Sequence, residues 1–233
     1  MVEHFHTPRE KLTVIPNGVS AHFKRITDPV ILGATRHKFD LRHPLVLGVG
    51  TLEPRKNHIG LIKAFYHAQK KKNGPAMLAL AGGKGWLYEE TQQLVEELKL
   101  EKKVRFLGRV SDLELVTLYS LADVFAFPSF VEGFGVPPIE AMACGAPVIT
   151  SNTSSLPEIV GDAAILIDPH NTGELSAAIT RILQDKSLQE ELRQKGYERV
   201  KQYTWPVSAR KMLSIYQKLH DGVTNFAEEG NTL

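Results

Sequence analysis

The sequence predicts an α/β fold: a single Rossmann-like, doubly wound parallel sheet of about six strands with extra helices at the carboxyl end. Three observations predict it. Six short apolar runs are separated by longer segments of helical period. Several of these runs are apolar at every position rather than at alternate ones, as strands covered on both faces are. The 233 residues, 42% of them hydrophobic, suffice for one good-sized core with appended helices, but a second full-sized domain is not expected.

The expected strands are "LVLGVGT" (45–51), "AMLALAG" (76–82), "KVRFLG" (103–108), "DVFAFP" (123–128), "PVITS" (147–151) and "AAILID" (163–168). Before them "VIPNGV" (14–19) reads as a short strand ended by Pro16 and an Asn-Gly turn. Between them lie helical segments. "NHIGLIKAFYHAQKKK" (57–72) sets Ile59, Ile62, Ala64 and Phe65 near one face. "EETQQLVEELKL" follows, then "SDLELVTLYSLA" (111–122), with Ser111 as N-cap and Glu114 at the capping-box position. "PPIEAMACG" begins at Pro137 and Pro138 and ends at Gly145, which puts Glu140 in its first turn. Three more helices are expected at 172–185, 187–203 and 205–222, and residues 222–233 lack periodicity and read as a frayed tail. The expected units are therefore 1–19, 20–204, 205–221 and 222–233.

Composition excludes several classes. With 28 basic and 26 acidic residues the net charge is +2, so no global field points to nucleic acid or an anionic membrane. A lone cysteine, Cys144, excludes an intramolecular disulfide or a cysteine-based zinc cluster, suits a reducing cytoplasm, and reads as packing among small neighbours. No apolar run reaches the roughly 20 residues a bilayer span requires, and "MVEHFHTPREK" does not read as a signal peptide, so a cytoplasmic protein is expected. His4 and His6 form the only close histidine pair, and no metal site is expected. "QKKKNG" (69–74) reads as the solvated carboxyl end of a helix.

In open α/β sheets ligands bind beyond the carboxyl ends of the strands, and three stretches fall there. "GVGTLEPRKN" (48–57) starts like a dinucleotide fingerprint with Gly48 and Gly50, but position 53 is Glu, and no phosphate loop of the GxxxxGK[ST] type occurs. Its Arg55 and Lys56 stand just before a helix, either as a solvated helix entry or as two cations converging on a phosphate. "LAGGKG" (80–85) has Gly82 and Gly83, which serve either an ordinary turn or close approach of a ligand to the backbone. The third stretch is "SFVEGFGVPPIEAMACGAPVI" (129–149). Gly133 and Gly135 let the amides of residues 133–136 face an anion, while Glu132 and Glu140 suit hydroxyl groups, because one carboxylate accepts two hydroxyl hydrogen bonds. The plainer alternative has Glu140 complementing the helix dipole and Glu132 capping a turn.

The third stretch resembles the retaining nucleotide-sugar glycosyltransferases of family four, which have the GT-B fold and an E-x7-E motif. Glu132 and Glu140 have that spacing, and "VIPNGV", "EGFG", "EAMACGAPVI" and "LPEIVGDAA" match in the family's order, over about residues 12–205. The resemblance implies that Glu140 holds the ribose hydroxyls and that Glu132 contacts the donor sugar. The amides of Phe134 and Gly135 would meet the diphosphate and sugar, and Lys56 would neutralise the leaving group. The "FLGRVSD" loop at Arg109 and Val110 would frame the base. Thr51 stands where the family often places an arginine, which leaves Arg55 to supply the second positive charge.

The resemblance further implies that the chain is the donor-binding half of a two-domain enzyme, one half of a GT-B fold. Residues 1–19 would be a remnant of the interdomain linker and first strand, and 205–221 a helix that crosses back over the other half. The expected function is transfer of a sugar from a GDP- or UDP-sugar to an acceptor hydroxyl with retention, with a mannosyltransferase-like lean from "GTLEPRKN". The acceptor would be a glycan or lipid-linked sugar, with the full enzyme cytoplasmic or peripheral at a membrane. No cofactor beyond the donor and no nucleic-acid partner are implied. The alternative is a catalytically incomplete nucleotide-binding module that needs a separate acceptor-binding half.

Overall fold

The computed structural model describes residues 11–71, 74–86 and 88–229, with His6 and Pro8; for residues 222–229 it describes the backbone alone. His4, Lys72 and Asn73 of the histidine pair and the lysine run lie outside the described residues.

The six expected strands form at β1 (Leu45–Val49), β2 (Met77–Ala81), β3 (Val104–Gly108), β4 (Val124–Phe127), β5 (Val148–Ser151) and β6 (Ala164–Ile167). They build one sheet in the order β3-β2-β1-β4-β5-β6, every pairing parallel. Helices cover both faces. Val46, Leu78, Leu80, Val124, Ala126 and Ile149 pack on α2 (His58–Ala68), α3 (Tyr88–Glu97) and α7 (Thr172–Gln184). Leu45, Leu47, Met77, Ala79, Phe125 and Val148 face the other way, toward α4 (Asp112–Leu121), α5 (Val136–Ala143) and α6 (Leu156–Val160). Because both sides of each central strand are buried, the apolar runs have no polar face to alternate with.

Sequence expectations and structure agree most closely where caps are strong. Ser111 and Glu114 close a complete capping box at α4. The helices α8 (Lys186–Val200) and α9 (Trp205–Glu229) complete the chain. Gly48 lets α2 approach β1, since a Cβ there would sit 2.8 Å from Leu61 and 2.9 Å from Leu80.

Three expectations are corrected, and helices form where none was expected. In the opening segment α1 (Pro29–Lys38) forms, started by Asp28, whose carboxylate accepts from the Val30 amide at 2.8 Å. Only Thr35 of this helix is buried, so it leaves no apolar period to read. "VIPNGV" is no strand: a single bridge joins Val19 to Thr204, and Gly18 lies so close to the start of α9 that a Cβ would come within 2.3 Å of the Trp205 nitrogen. Glu140 stands in the second turn of α5, because the helix begins one residue before the prolines, at Val136. Finally, α9 continues past Gly222 to Glu229, since helical backbone hydrogen bonding tolerates an interior glycine at about 1 kcal/mol. On α9 Met212, Leu213, Tyr216 and Leu219 are exposed, and among the described residues no helix is long and apolar enough to cross a membrane.

Behind the strand ends, Gly82 is a packing glycine. A Cβ there would lie 2.0 Å from the Gly50 carbonyl oxygen. The neighbouring Gly83 would meet only the Arg109 side chain, at 3.3 Å. We therefore expect Gly82→Ala to lower unfolding free energy by about 1–3 kcal/mol and Gly83→Ala to be nearly neutral; equal losses in denaturant unfolding would contradict this packing account.

His58, at the first position of α2, is buried, and its two ring nitrogens lack a hydrogen-bond partner of good geometry. Burial pushes its pKa down to about 4, although the backbone of Gly50 and Thr51 favours the proton. The ring is thus neutral in the folded protein, whereas in the unfolded chain it titrates near 6.5. Its contribution to stability is present above pH 6.5 and is lost as pH falls toward 4, by up to about 3 kcal/mol. In His58→Asn that part of the pH dependence of unfolding should flatten, and an unchanged slope would place its source elsewhere.

Candidate functional site

Strands β1 and β4 are neighbours in the sheet but lead in opposite directions, β1 through α2 to β2 and β4 through α5 to β5. Their connections go to opposite faces, so a crevice opens beyond their carboxyl ends, the usual place for a ligand in such a sheet.

The loop after β1 enters this crevice as a short 3₁₀ turn, Pro54–Lys56, followed by Asn57 in the left-handed conformation (φ 55°). Asn57 is buried and ties three strand ends together. Its Nδ2 donates to the carbonyls of Pro128, after β4, at 3.1 Å and Pro169, after β6, at 2.8 Å. Its Oδ1 caps α2 by accepting from the Gly60 amide at 3.2 Å. The Phe130 amide adds a 2.9 Å bond to the Arg55 carbonyl.

Arg55 and Lys56 are thereby held against Glu132. Lys56 Nζ lies 2.6 Å from Glu132 Oε1, and Arg55 NH1 lies 2.7 Å from Glu132 Oε2. Arg55 NH2 lies 2.7 Å from Glu53 Oε1. Two cations thus face two carboxylates, and the cluster carries no net charge. The Lys56 and Glu132 side chains are only 11% and 9% exposed, so solvent screens this pair weakly. Burial opposes the Arg55 charge, but Glu132 and Glu53 outweigh it and raise the guanidinium pKa. The aliphatic stem of Lys56 runs along Gly50, where a Cβ would come within 3.2 Å, and its ammonium lies 4.7 Å from the Phe127 ring centre.

The loop after β4 is pinned from the side of β5. The Glu132 amide donates to Ser154 Oγ at 3.1 Å, and Ser155 Oγ donates to the carbonyls of Glu132 and Phe134, both at 3.0 Å. Gly135 then turns into α5 at φ 96°. Pro137 and Pro138 carry no N–H, and among the described residues the amides of residues 133–136 meet no acceptor. Gly133 is open, while the Phe134 ring leaves the loop to pack on Tyr203 at 5.8 Å.

Glu140 lies apart from the cation cluster, with Tyr119 of α4 as its partner: the phenol donates to Oε2 at 3.1 Å. Burial raises the Glu140 pKa, the Tyr119 bond opposes that, and the charge of Asp112 adds to it. Below it the Cys144 thiol is buried and pushed up to about 12, by burial first and by Glu140 second, which fits the expected packing role. Arg109 lies across Gly83, joining the loops after β3 and β2, and Val110 packs against the core under α4. No group of metal-ligating side chains occurs among the described residues.

The structure thus brings Gly50, Arg55, Lys56 and Glu132 together, while Glu140 pairs with Tyr119 instead. Sequence reasoning missed Glu53, Asn57, Tyr119, Ser154 and Ser155. Asn57 alone left a usable signal, an Asn directly ahead of an apolar helix. Tyr119 looked like one more residue of the apolar face of α4.

Known proteins are similar to this chain in sequence and in fold. The chain is 42% identical over 173 residues to the O-antigen chain mannosyltransferase B of Escherichia coli, an overlap of 74% of this chain and 45% of that protein. The sucrose-phosphate synthase structure from Thermosynechococcus elongatus superposes at a TM-score of 0.77 and 31% identity, over 90% of this chain and 53% of that one. Anabaena HepE, solved in complex with UDP-glucose, shares the fold at a TM-score of 0.79 and 23% identity, over 88% of this chain and 57% of that one. The chain thus spans about half the length of each of these three proteins. Residues 34–199, which contain all of the crevice, match the family model described as glycosyl transferases group 1, and the chain belongs to that family.

Proposed function

We propose that this chain is the donor-binding half of a retaining glycosyltransferase that takes its sugar from a nucleoside-diphosphate sugar. The carrying observation is the convergence at one crevice of Arg55, Lys56 and Glu132 with the free amides of residues 133–136. Cations and amides suit a diphosphate; carboxylates beside them suit hydroxyls, and a nucleotide sugar offers both.

In this reading Lys56 and Arg55 neutralise the diphosphate, helped by the amides of Phe134 and Gly135. Gly50 and Gly133 let the ligand approach the backbone, and Glu132 receives hydroxyls of the donor sugar. Glu140 receives the ribose hydroxyls, with the base toward Arg109, Val110 and the Gly82-Gly83 turn. The anomeric carbon–oxygen bond breaks toward the diphosphate, which takes the bonding pair. The acceptor hydroxyl attacks the anomeric carbon on the same face, and its proton passes to the departing phosphate oxygen. The chain's contribution is electrostatic: charge and dipoles already in place where negative charge develops.

The resemblance to a mannosyltransferase supports a mannosyl donor, as GDP- or UDP-sugar. By the same resemblance a separate half supplies the acceptor groups, for a glycan or lipid-linked sugar in a full enzyme that is cytoplasmic or peripheral at a membrane.

Calorimetric titration with UDP, GDP and ADP, each beside a sugar-nucleotide, tests the reading. One nucleoside diphosphate should bind saturably and be lost in Glu140→Ala; no binding by any of them overturns the reading. Lys56→Ala should weaken the diphosphate by roughly tenfold or more while the bare nucleoside is unaffected, and equal losses would sink the diphosphate assignment. Glu132 occupies both cations in the free protein, so Glu132→Gln should tighten the sugar-free nucleoside diphosphate while slowing transfer in the complete enzyme. Weaker binding of the diphosphate in that variant would show that Glu132 does not compete for the cations.

A further inference from the structure

Tyr119 projects from α4, and its ring is fully enclosed between Phe23 and Phe125, at 6.3 and 5.3 Å between centres. A phenol buried so deeply needs a partner for its hydroxyl. The partner is Glu140 Oε2, at 3.1 Å. A bond from α4 thus reaches across to α5 and ends on the partly buried Glu140 carboxylate. Carboxylates have about four acceptor directions, and a donor fixed behind one oxygen orients the remainder. We infer that Tyr119 is the positioning residue for the ribose site: its hydroxyl aims Glu140 so that the free acceptor positions meet the 2′- and 3′-hydroxyls together.

This rests on the reading of Glu140 as the ribose-binding carboxylate. Within it, Tyr119 has two effects. It fixes the carboxylate rotamer before the ligand arrives, so less ordering is left to binding. It also supports the ionised form against its surroundings. Burial and the Asp112 charge both favour the protonated acid, the Cys144 thiol beneath carries no charge, and the phenol is the donor that opposes them. A neutral acid has one oxygen occupied by its proton and accepts a diol less well.

The test is nucleotide binding by Tyr119→Phe, which keeps the ring and removes the hydroxyl. UDP and GDP are titrated beside their 2′,3′-dideoxy forms, with Glu140→Gln in parallel. We expect Tyr119→Phe to weaken the ribonucleotide roughly five- to tenfold and to leave the dideoxy form unchanged. Loss of the donated bond raises the Glu140 pKa, so the acid limb of ribonucleotide binding should move to higher pH. Equal losses for both nucleotides, or no loss for either, overturn the inference. So does an acid limb that stays in place.

If Tyr119→Phe melts far below the native protein, 3-fluorotyrosine at position 119 keeps the packing and makes the phenol a stronger donor. The acid limb should then move to lower pH, and a limb that does not move overturns the inference. Glu140→Gln separates the two levels. Where it leaves ribose discrimination intact, the reading of Glu140 itself fails. Where it abolishes discrimination and Tyr119→Phe preserves it, only the positioning role fails.

Discussion

The buried Asn57 amide is the constraint on which the crevice depends. A polar side chain withdrawn from water must be paired, and here each bond it makes fixes a different element. Its donors hold the ends of β4 and β6 while its acceptor starts α2, and its left-handed backbone turns the chain from the 3₁₀ turn into the helix. That turn directly follows Arg55 and Lys56, whose side chains reach across to Glu132. Arg55 returns the constraint by accepting from the Phe130 amide.

The charges follow from this geometry. Holding two cations side by side, one of them largely withdrawn from solvent, is unfavourable unless carboxylates balance them, and Glu132 and Glu53 do so at hydrogen-bonding distance. The resting site is neutral overall, yet its cations are already aimed. In the proposed reading an anionic ligand replaces Glu132 as their partner, and recognition of phosphate is tied to release of a carboxylate for hydroxyl binding. Glu140 works under a different regime. It is isolated from the cations, destabilised as an anion by burial, and steadied by one neutral donor.

The sheet was legible because its signal is local and redundant: six short, largely apolar runs with turn residues between. The capping box at Ser111 and the glycine past α5 were legible for the same reason, being short-range chemistry. The helix α1 was not, because it buries almost nothing and so needs no apolar face. Gly82 shows the opposite limit. Its place in a glycine turn suited a ligand as well as a turn, and only the proximity of the Gly50 carbonyl revealed the tight packing there. Tyr119 was hidden because a buried aromatic at helical spacing looks the same whether or not its hydroxyl has work to do.

By itself the sequence determined the fold class, the six strands with most of the helices between them, and the residue types at the crevice, because each is encoded in one short continuous segment. Which side chains meet was decided by the tertiary structure alone. Lys56 and Glu132 are 76 residues apart, as are Arg55 and Val131, and Asn57 reaches Pro169 across 112. No local propensity reports such pairings; they arise when the parallel sheet sets distant loops side by side at its carboxyl edge.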